Sequence, residues 1–480
     1  MTALRKPPKW YPQGNRPAKV WYQDYEDLMV SNQIQFHHDH RHLFDNIAIL
    51  YAPHFESYQG CYEEASAHHD DPHAKRDLRI ASWRDLMEGN RVSMTSKTWI
   101  YKAELKAKKD EIAKNLKRIR MIADLGCPAS LRGFRVTEFL KRAQSKEDFV
   151  YKGITAHFCK APAQEALREV FQNLINPPQR GYFVYFSDDS CLSLRVGGKV
   201  HMYNIDISSC DASHGRPIFR TFKRLFPKHL SSEITNLLEQ CKVPLWVYSR
   251  HNRKLVVALK PDRHRLYSGA TITTGINNVA NQSIFMAIAE HTFDDENKSS
   301  VELGEELTLS IANTGYHVTC ETCEDYYDLQ FLKNSPVYDT EGKLQPLLNL
   351  GVMIRASGNC RGDLPGRGDL ETRARVFQAS LLHGMYPVVS TPLVDWMKEC
   401  TKAAPILEIP QLNQMLRYKG VATEAFTVTS EEVNKRYRIT ESEFATFMDF
   451  LHEDGYGTHI TCSATNKYLQ VDYGLSAAGF

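Results

Sequence analysis

The sequence predicts an α+β chain, and three observations carry that expectation. Residues 182–186 and 192–196 are short runs rich in aromatic, Val and Leu residues, as strands should be, and 200–205 reads as a third strand. An acidic turn, Ser187-Asp188-Asp189-Ser190, joins the first two, and a glycine turn joins the second to the third. Helical runs flank this cluster at 160–177 and from Thr273 through about Ala289, and residues 370–480 are mostly helical by periodicity.

Bulk properties bound the rest. At 480 residues the chain is long enough for several subdomains around a large core. A formal net charge of +2 argues neither for nor against nucleic acid, because binding needs a local basic groove and not a basic total. Eleven scattered cysteines, with no secretory signal over residues 1–14, point to free thiols in a reducing compartment. No apolar run approaches the ~20 residues a membrane helix requires. Neither an internal repeat nor a long low-complexity tract is present.

Taken in order, the chain opens with a basic, proline-rich lead over residues 1–20, read as an extended arm. Two histidine clusters follow, at 37–42 and 68–73. Their ligands crowd together without the paired spacing of zinc sites, so they read as solvated polar segments. Cys320 and Cys323 have the right pair spacing but no second pair nearby. From Tyr101 to Arg142 the chain turns basic, and the alternation Arg118-Ile-Arg120-Met-Ile122 suits a half-buried strand. Two arginines on one strand face make a cradle for a triphosphate, which each can grip with parallel hydrogen bonds.

Beyond the strand cluster, 216–226 and 231–238 read as helices, and 244–248 and 255–259 as strands among basic residues. Ser268-Gly269 makes a flexible loop, and Thr273 and Asn277 stand four apart on one face of the helix that follows. Residues 290–302 are acidic and polar, without apolar flanks for a strand pair. A helix is expected at 305–313, strands at 316–319 and 328–332, turns at 334–336 and 339–342, and a strand at 351–355. The glycine-rich, basic loop 357–369 and the C-terminal helical part complete the chain.

The carboxylates carry the chemistry. Adjacent Asp188 and Asp189 at a hairpin tip are a poor stability device, because like charges that close raise each other's free energy. The third strand delivers Asp206, and Asp211 follows shortly after. Carboxylates converging from different strands are what a pair of Mg²⁺ ions needs.

Together these pieces resemble the palm and fingers of viral RNA-dependent RNA polymerases. Asp206-x4-Asp211 is similar to the family's first palm motif, and Ser268-Gly269-x3-Thr273-x3-Asn277 to the second. Ser187-Asp188-Asp189 resembles the metal-binding hairpin usually written Gly-Asp-Asp. Lys102, Lys106, Arg118 and Arg120 stand where the fingers hold the incoming triphosphate. Phe331-Leu-Lys333 resembles the primer-grip turn, and His317 stands where the fourth palm motif often supplies a proton donor. The resemblance covers roughly residues 100 to 335. The hairpin precedes the first palm motif here, which resembles the permuted polymerases of the birnavirus and permutotetravirus kind.

The resemblance implies a right-hand polymerase with an antiparallel palm sheet. Residues 1–180 would form an N-terminal extension and fingers, 181–222 and 267–348 the palm, 223–266 a fingers insertion and 349–480 a helical thumb. It implies Asp188 and Asp206, with Asp189, as catalytic ligands of two Mg²⁺ ions, for which Mn²⁺ is a substitute. Asp211, Ser268, Gly269, Thr273 and Asn277 would recognise the ribose of the incoming NTP. Template and nascent RNA, viral replication proteins and a place in the host-cell cytoplasm or virion follow from the same likeness. A reverse transcriptase shares the palm, but its DNA-making site usually blocks the 2′-hydroxyl with a bulky side chain, against which the Asp211 and Asn277 pair argues. A non-catalytic RNA-binding scaffold with a decayed palm is opposed by intact carboxylates at 188, 206 and 211.

Overall fold

A computed structural model of the chain describes residues 103–107, 121–125, 129, 136–137, 140, 148–226, 230–248, 255–259, 261, 263–293, 297–357, 364, 366–385, 389–407, 424–454 and 462–474. The proline-rich lead, both histidine clusters, Lys102, Arg118, Arg120 and much of the loop after Ser357 lie outside those residues, as does the side chain of Lys106.

The fold is mixed α+β, with mostly antiparallel strand pairing and several helices. The early strands are β1 (Ala103–Ala107), β2 (Met121–Asp124), β3 (Phe149–Tyr151), β4 (Ile154–Phe158), β5 (Gly181–Phe186), β6 (Asp189–Val196) and β7 (Lys199–Ile207). After them come β8 (Leu245–Tyr248), β9 (Leu255–Leu259), β10 (Val318–Cys323), β11 (Asn334–Tyr338), β12 (Leu344–Leu348), β13 (Val389–Ser390) and β14 (Phe426–Thr427). A six-stranded sheet runs in the order β10-β7-β6-β5-β4-β3, and a four-stranded sheet in the order β2-β1-β8-β9. In the second, β1 pairs antiparallel with β2 and parallel with β8.

The central strands follow from their residue patterns. GYFVYF in β5 is apolar on both faces, and its first five residues are all buried. In β7 the pattern alternates: Tyr203, Ile205 and Ile207 are buried while Asp206 is exposed. Gly197 and Gly198, at φ of 56° and 76°, form the two-residue turn between β6 and β7, whose left-handed pair suits the right-handed twist of the flanking strands. That register sets Cys191 beside Asn204, and the thiol donates to Asn204 Oδ1 at 3.5 Å.

The chain divides into two compact units: Met1–Phe158 with Tyr185–Asp188 and Ile205–Cys320, and Cys159–Val184 with Asp189–Asn204 and Glu321–Phe480. The first is built on the Thr273–Glu290 helix, whose residues from Gly275 to Ala289 are all buried. It packs on the Arg216–Arg224 and Ser300–Ala312 helices. Ser299 caps the latter by accepting from the Glu302 N–H, while the Glu302 side chain accepts from the Ser299 N–H, so two orphan donors are satisfied reciprocally. The second unit has its own apolar core, with Met353, Phe377, Leu381, Val394, Phe447 and Tyr468 among its members. There the Gln164–Ile175 helix lies against β12, and its buried Arg168 donates to Gln345 Oε1 (2.8 Å) and Glu424 Oε2 (2.7 Å).

Several expected elements differ. Residues 328–332 contain no strand; the Tyr326–Asp328 turn of 3-10 helix leads to a tight turn instead. Residues 334–336 are not a turn but the start of β11, where Pro336 faces Pro346 of β12. Each strand of a two-stranded sheet is an edge, so a proline there removes no ladder bond. Residues 351–355 belong to the Leu350–Ser357 helix and not to a strand. A short apolar run carries no period that separates the two. In the helix Gly351 packs tightly: a Cβ there would meet Asp472 Oδ2 at 2.5 Å and the Tyr468 carbonyl at 2.7 Å. Strands β3 and β4 and the parallel pair β13–β14 carry no expectation from sequence.

Candidate functional site

In the first unit, Ser187 at the β5–β6 turn adopts a left-handed backbone with φ of 56°. Three asparagines of the Thr273–Glu290 helix hold it there. The Ser187 N–H donates to Asn278 Oδ1 (2.7 Å), Asn281 Nδ2 donates to the Ser187 carbonyl (2.5 Å), and Asn277 Nδ2 donates to Ser187 Oγ (3.4 Å). The clamp fixes the backbone immediately before Asp188, which is exposed.

Beyond β7, the Ser208 N–H donates to the His317 carbonyl (2.9 Å), and Ser209 turns left-handed at φ of 51°. The one-turn Cys210–Ser213 helix then brings half-buried Asp211 to Asn277, whose Nδ2 donates to Asp211 Oδ1 at 3.1 Å. Burial pushes the Cys210 thiol pKa well above its ordinary value, and the negative charges of Asp211, Asp188 and Asp206 push it further.

The remaining sequence-derived residues of this unit have more local roles. Thr273 Oγ1 donates toward the carbonyls of Tyr267 and Ala270, both at 2.8 Å, closing the loop ahead of its helix. The Ser268 carbonyl accepts from the Ala123 N–H of β2 at 2.8 Å, and both Ser268 and Gly269 are exposed. Gly269 has φ of 101°, and a Cβ there would meet the Ala123 carbonyl at 2.6 Å, so the close approach to β2 requires glycine. His317 is exposed.

Sequence reasoning missed His214. It is buried, with Nδ1 2.9 Å from Tyr316 Oη and Nε2 2.7 Å from Asn277 Oδ1. Burial lowers its pKa to about 4, against a smaller upward effect of the Asn277 hydrogen bond. A lone histidine has no spacing signature. The usable signal was Asn277, Asn278 and Asn281 within one turn of a long helix that is otherwise mostly apolar from Ile276 to Ala289, since buried amides demand partners.

In the second unit, Asp189 Oδ2 accepts from the Leu332 N–H at 3.1 Å. Leu332 and Lys333 are both left-handed, at φ of 50° and 61°, and Phe331 and Asn334 exchange two backbone hydrogen bonds of 2.9 Å around them. Phe331 is fully buried. Lys333 Nζ donates to the Asp472 carbonyl (3.2 Å) and stands 5.2 Å from the centre of the Tyr473 ring. The Asp472 carboxylate accepts from Arg436, Tyr437 and the Gly351 N–H, and burial raises its pKa in spite of them.

Among the described residues no three His, Cys, Asp or Glu side chains are grouped to hold a metal ion by themselves. Burial raises both thiols of the Cys320–Cys323 pair, to about 12 for Cys323. No described helix is long and apolar enough to cross a membrane.

No protein-family profile matches the chain, and no curated protein matches its sequence. Among solved structures it is similar to the X-ray structure of the birnavirus VP1-VP3 complex, with a TM-score of 0.42 and 12% identity. The likeness covers 82% of this chain and 61% of that one, so this chain spans about three fifths of the other's length.

Proposed function

We propose that this chain is a palm-type RNA-dependent RNA polymerase of a virus, which joins NTPs to an RNA 3′-hydroxyl on an RNA template. One observation supports the reading above all. The Asn277 amide joins the two turns that carry the carboxylates: it donates to Asp211 Oδ1 at 3.1 Å and to Ser187 Oγ, next to Asp188, at 3.4 Å. A carboxylate paired with an amide suited to a sugar hydroxyl, held beside the hairpin tip that carries Asp188, fits nucleotidyl transfer better than a structural role.

Hard oxygen donors fit Mg²⁺, which binds through one or two carboxylates and otherwise through waters and substrate phosphates. Asp188 and Asp206 would hold the two ions, or Mn²⁺ in their place. Bound there, the metals would supply Lewis acidity for the phosphates and lower the pKa of the attacking hydroxyl. Asp189 stands differently in this reading: one of its oxygens supports the Phe331–Asn334 turn, which makes it a support for that turn before a ligand.

The chain's own residues do the rest. Asp211 accepts from a ribose 2′-hydroxyl and Asn277 donates to it, and a site built to bond a hydroxyl rejects the analogue lacking it. Lys102, Lys106, Arg118 and Arg120 would neutralise the triphosphate, and Lys333 would meet the RNA end. His317, exposed, is the proposed proton donor. Viral replication proteins and the host-cell cytoplasm or virion belong to the same proposal.

Primer extension on an RNA template with Mg²⁺, comparing ribo- and deoxynucleotides, tests it. The parent extends with NTPs, and Asp188→Ala and Asp206→Ala lower the rate by about a thousandfold or more, about 4 kcal/mol of barrier. Equal extension by both variants and the parent would rule the reading out.

A further inference from the structure

Asn277 owes its orientation to groups beyond its own helix. A carboxylate only accepts, so the amide edge 3.1 Å from Asp211 Oδ1 must be the NH₂ group. The amide carbonyl then faces His214 Nε2 at 2.7 Å, which obliges that nitrogen to carry the proton. Nδ1 is left with a lone pair, and the hydroxyl of Tyr316, 2.9 Å away, must donate to it. Cys210 Sγ, 3.9 Å from Nε2, is at most a weak second acceptor for the same proton. One charge at Asp211 thus dictates an amide orientation, an imidazole tautomer and a hydroxyl direction in succession.

His214, Asn277 and Tyr316 are 1%, 2% and 0% exposed, so water does not compete for these bonds. The imidazole stays neutral near pH 7, because burial holds its pKa at about 4. No second proton therefore arises at Nδ1 to reverse the sequence. The other amide proton of Asn277 meets only the long 3.4 Å contact to Ser187 Oγ. That contact can be given up to a substrate hydroxyl at little cost.

We infer that His214 and Tyr316 are positioning residues that lock the Asn277 amide with its NH₂ edge toward Asp211, and thereby set the discrimination between ribo- and deoxyribonucleotides. The inference rests on the polymerase reading above. Without the Nε2–H donor the Asn277 carbonyl is buried and unpaired, and the amide turns over to find a partner. Turned over, it sets oxygen against the Asp211 carboxylate and offers a ribose 2′-hydroxyl no donor.

The test measures kcat/KM for an NTP and its 2′-deoxy counterpart in templated extension by the full chain. His214→Leu and Tyr316→Phe lower the NTP preference by about tenfold or more, the loss of one well-placed hydrogen bond. His214→Gln, whose amide can place an N–H near the Nε2 position, keeps the preference within about threefold of the parent. A structural role alone would slow both nucleotides equally and leave their ratio unchanged, which would overturn the inference. Because His214→Leu could fail to fold, ¹⁵N NMR of the parent's histidines gives a second readout. The Nε2–H tautomer of His214 supports the inference, and the Nδ1–H tautomer refutes it. A parent that extends nothing removes the polymerase reading and this inference together, whereas an active parent with unchanged ratios removes only the inference.

Discussion

A left-handed backbone costs an L residue on the order of 1–2 kcal/mol, yet Ser187 adopts one where the resemblance would have glycine. Hydrogen bonds donated by Asn277 and Asn281, and one accepted by Asn278, offset that cost, at about 0.5–1.5 kcal/mol net for each well-formed bond. Ser187→Gly relieves the strain but returns about 0.4–1 kcal/mol to the unfolded chain as backbone entropy. Relief exceeds that loss narrowly, so the variant should gain about 0.5 kcal/mol, read as a raised denaturation midpoint at constant slope. Ser187→Val, β-branched at the same φ, should lose about 2 kcal/mol. The spacings of Asp206 with Asp211 and of Thr273 with Asn277 were legible, because they are fixed by short stretches of one strand end and one helix. His214 was not: its partners stand 63 and 102 residues away in sequence, a relation no local pattern encodes.

Elements were legible where one pattern dominated. The apolar run of β5, the alternation of β7 and the long helix from Thr273 all appear where their residues place them. Failures cluster between 328 and 355, where prolines and short apolar runs give conflicting signals and long-range packing decides. The Phe331–Asn334 turn is the clearest case. Two bulky residues in a row hold left-handed φ values there, a geometry that Asn and Gly ordinarily supply. Asp189, 143 residues earlier in sequence, helps to stabilise it by accepting from the Leu332 N–H. Removing that acceptor leaves a half-buried donor unpaired, so Asp189→Ala should destabilise the protein by about 1–3 kcal/mol. Asp189→Asn keeps an oxygen in place and should lose less than about 1 kcal/mol. Urea denaturation of both variants decides the matter, and equal losses would remove the supporting role assigned to this carboxylate.

For the whole molecule, the buried imidazole links the candidate site to acid stability. His214 has its pKa lowered from 6.5 to about 4 in the folded chain, chiefly by burial. The unfolded chain therefore takes up this proton first as pH falls. The stability associated with the group is fully present above pH 6.5 and is lost as pH falls toward about 4. At 1.36 kcal/mol per unit the full loss is about 3 kcal/mol. The groups facing the ring do not share the window: burial pushes both the Tyr316 hydroxyl and the Cys210 thiol upward, so they stay protonated throughout. Asp211 is linked to the ring through the Asn277 amide. His214→Gln cannot titrate, so its stability should fall less steeply than the parent's between pH 6.5 and 4.5. Denaturation free energies for both proteins across that range measure the difference directly. Parallel curves would mean that the imidazole is already charged, or already solvated, in the folded protein. A charged ring would remove the neutral Nε2–H donor on which the orientation of Asn277 depends, and a solvated one would let water compete for that bond, so one pH series bears on the stability of the fold and on the selectivity of its site.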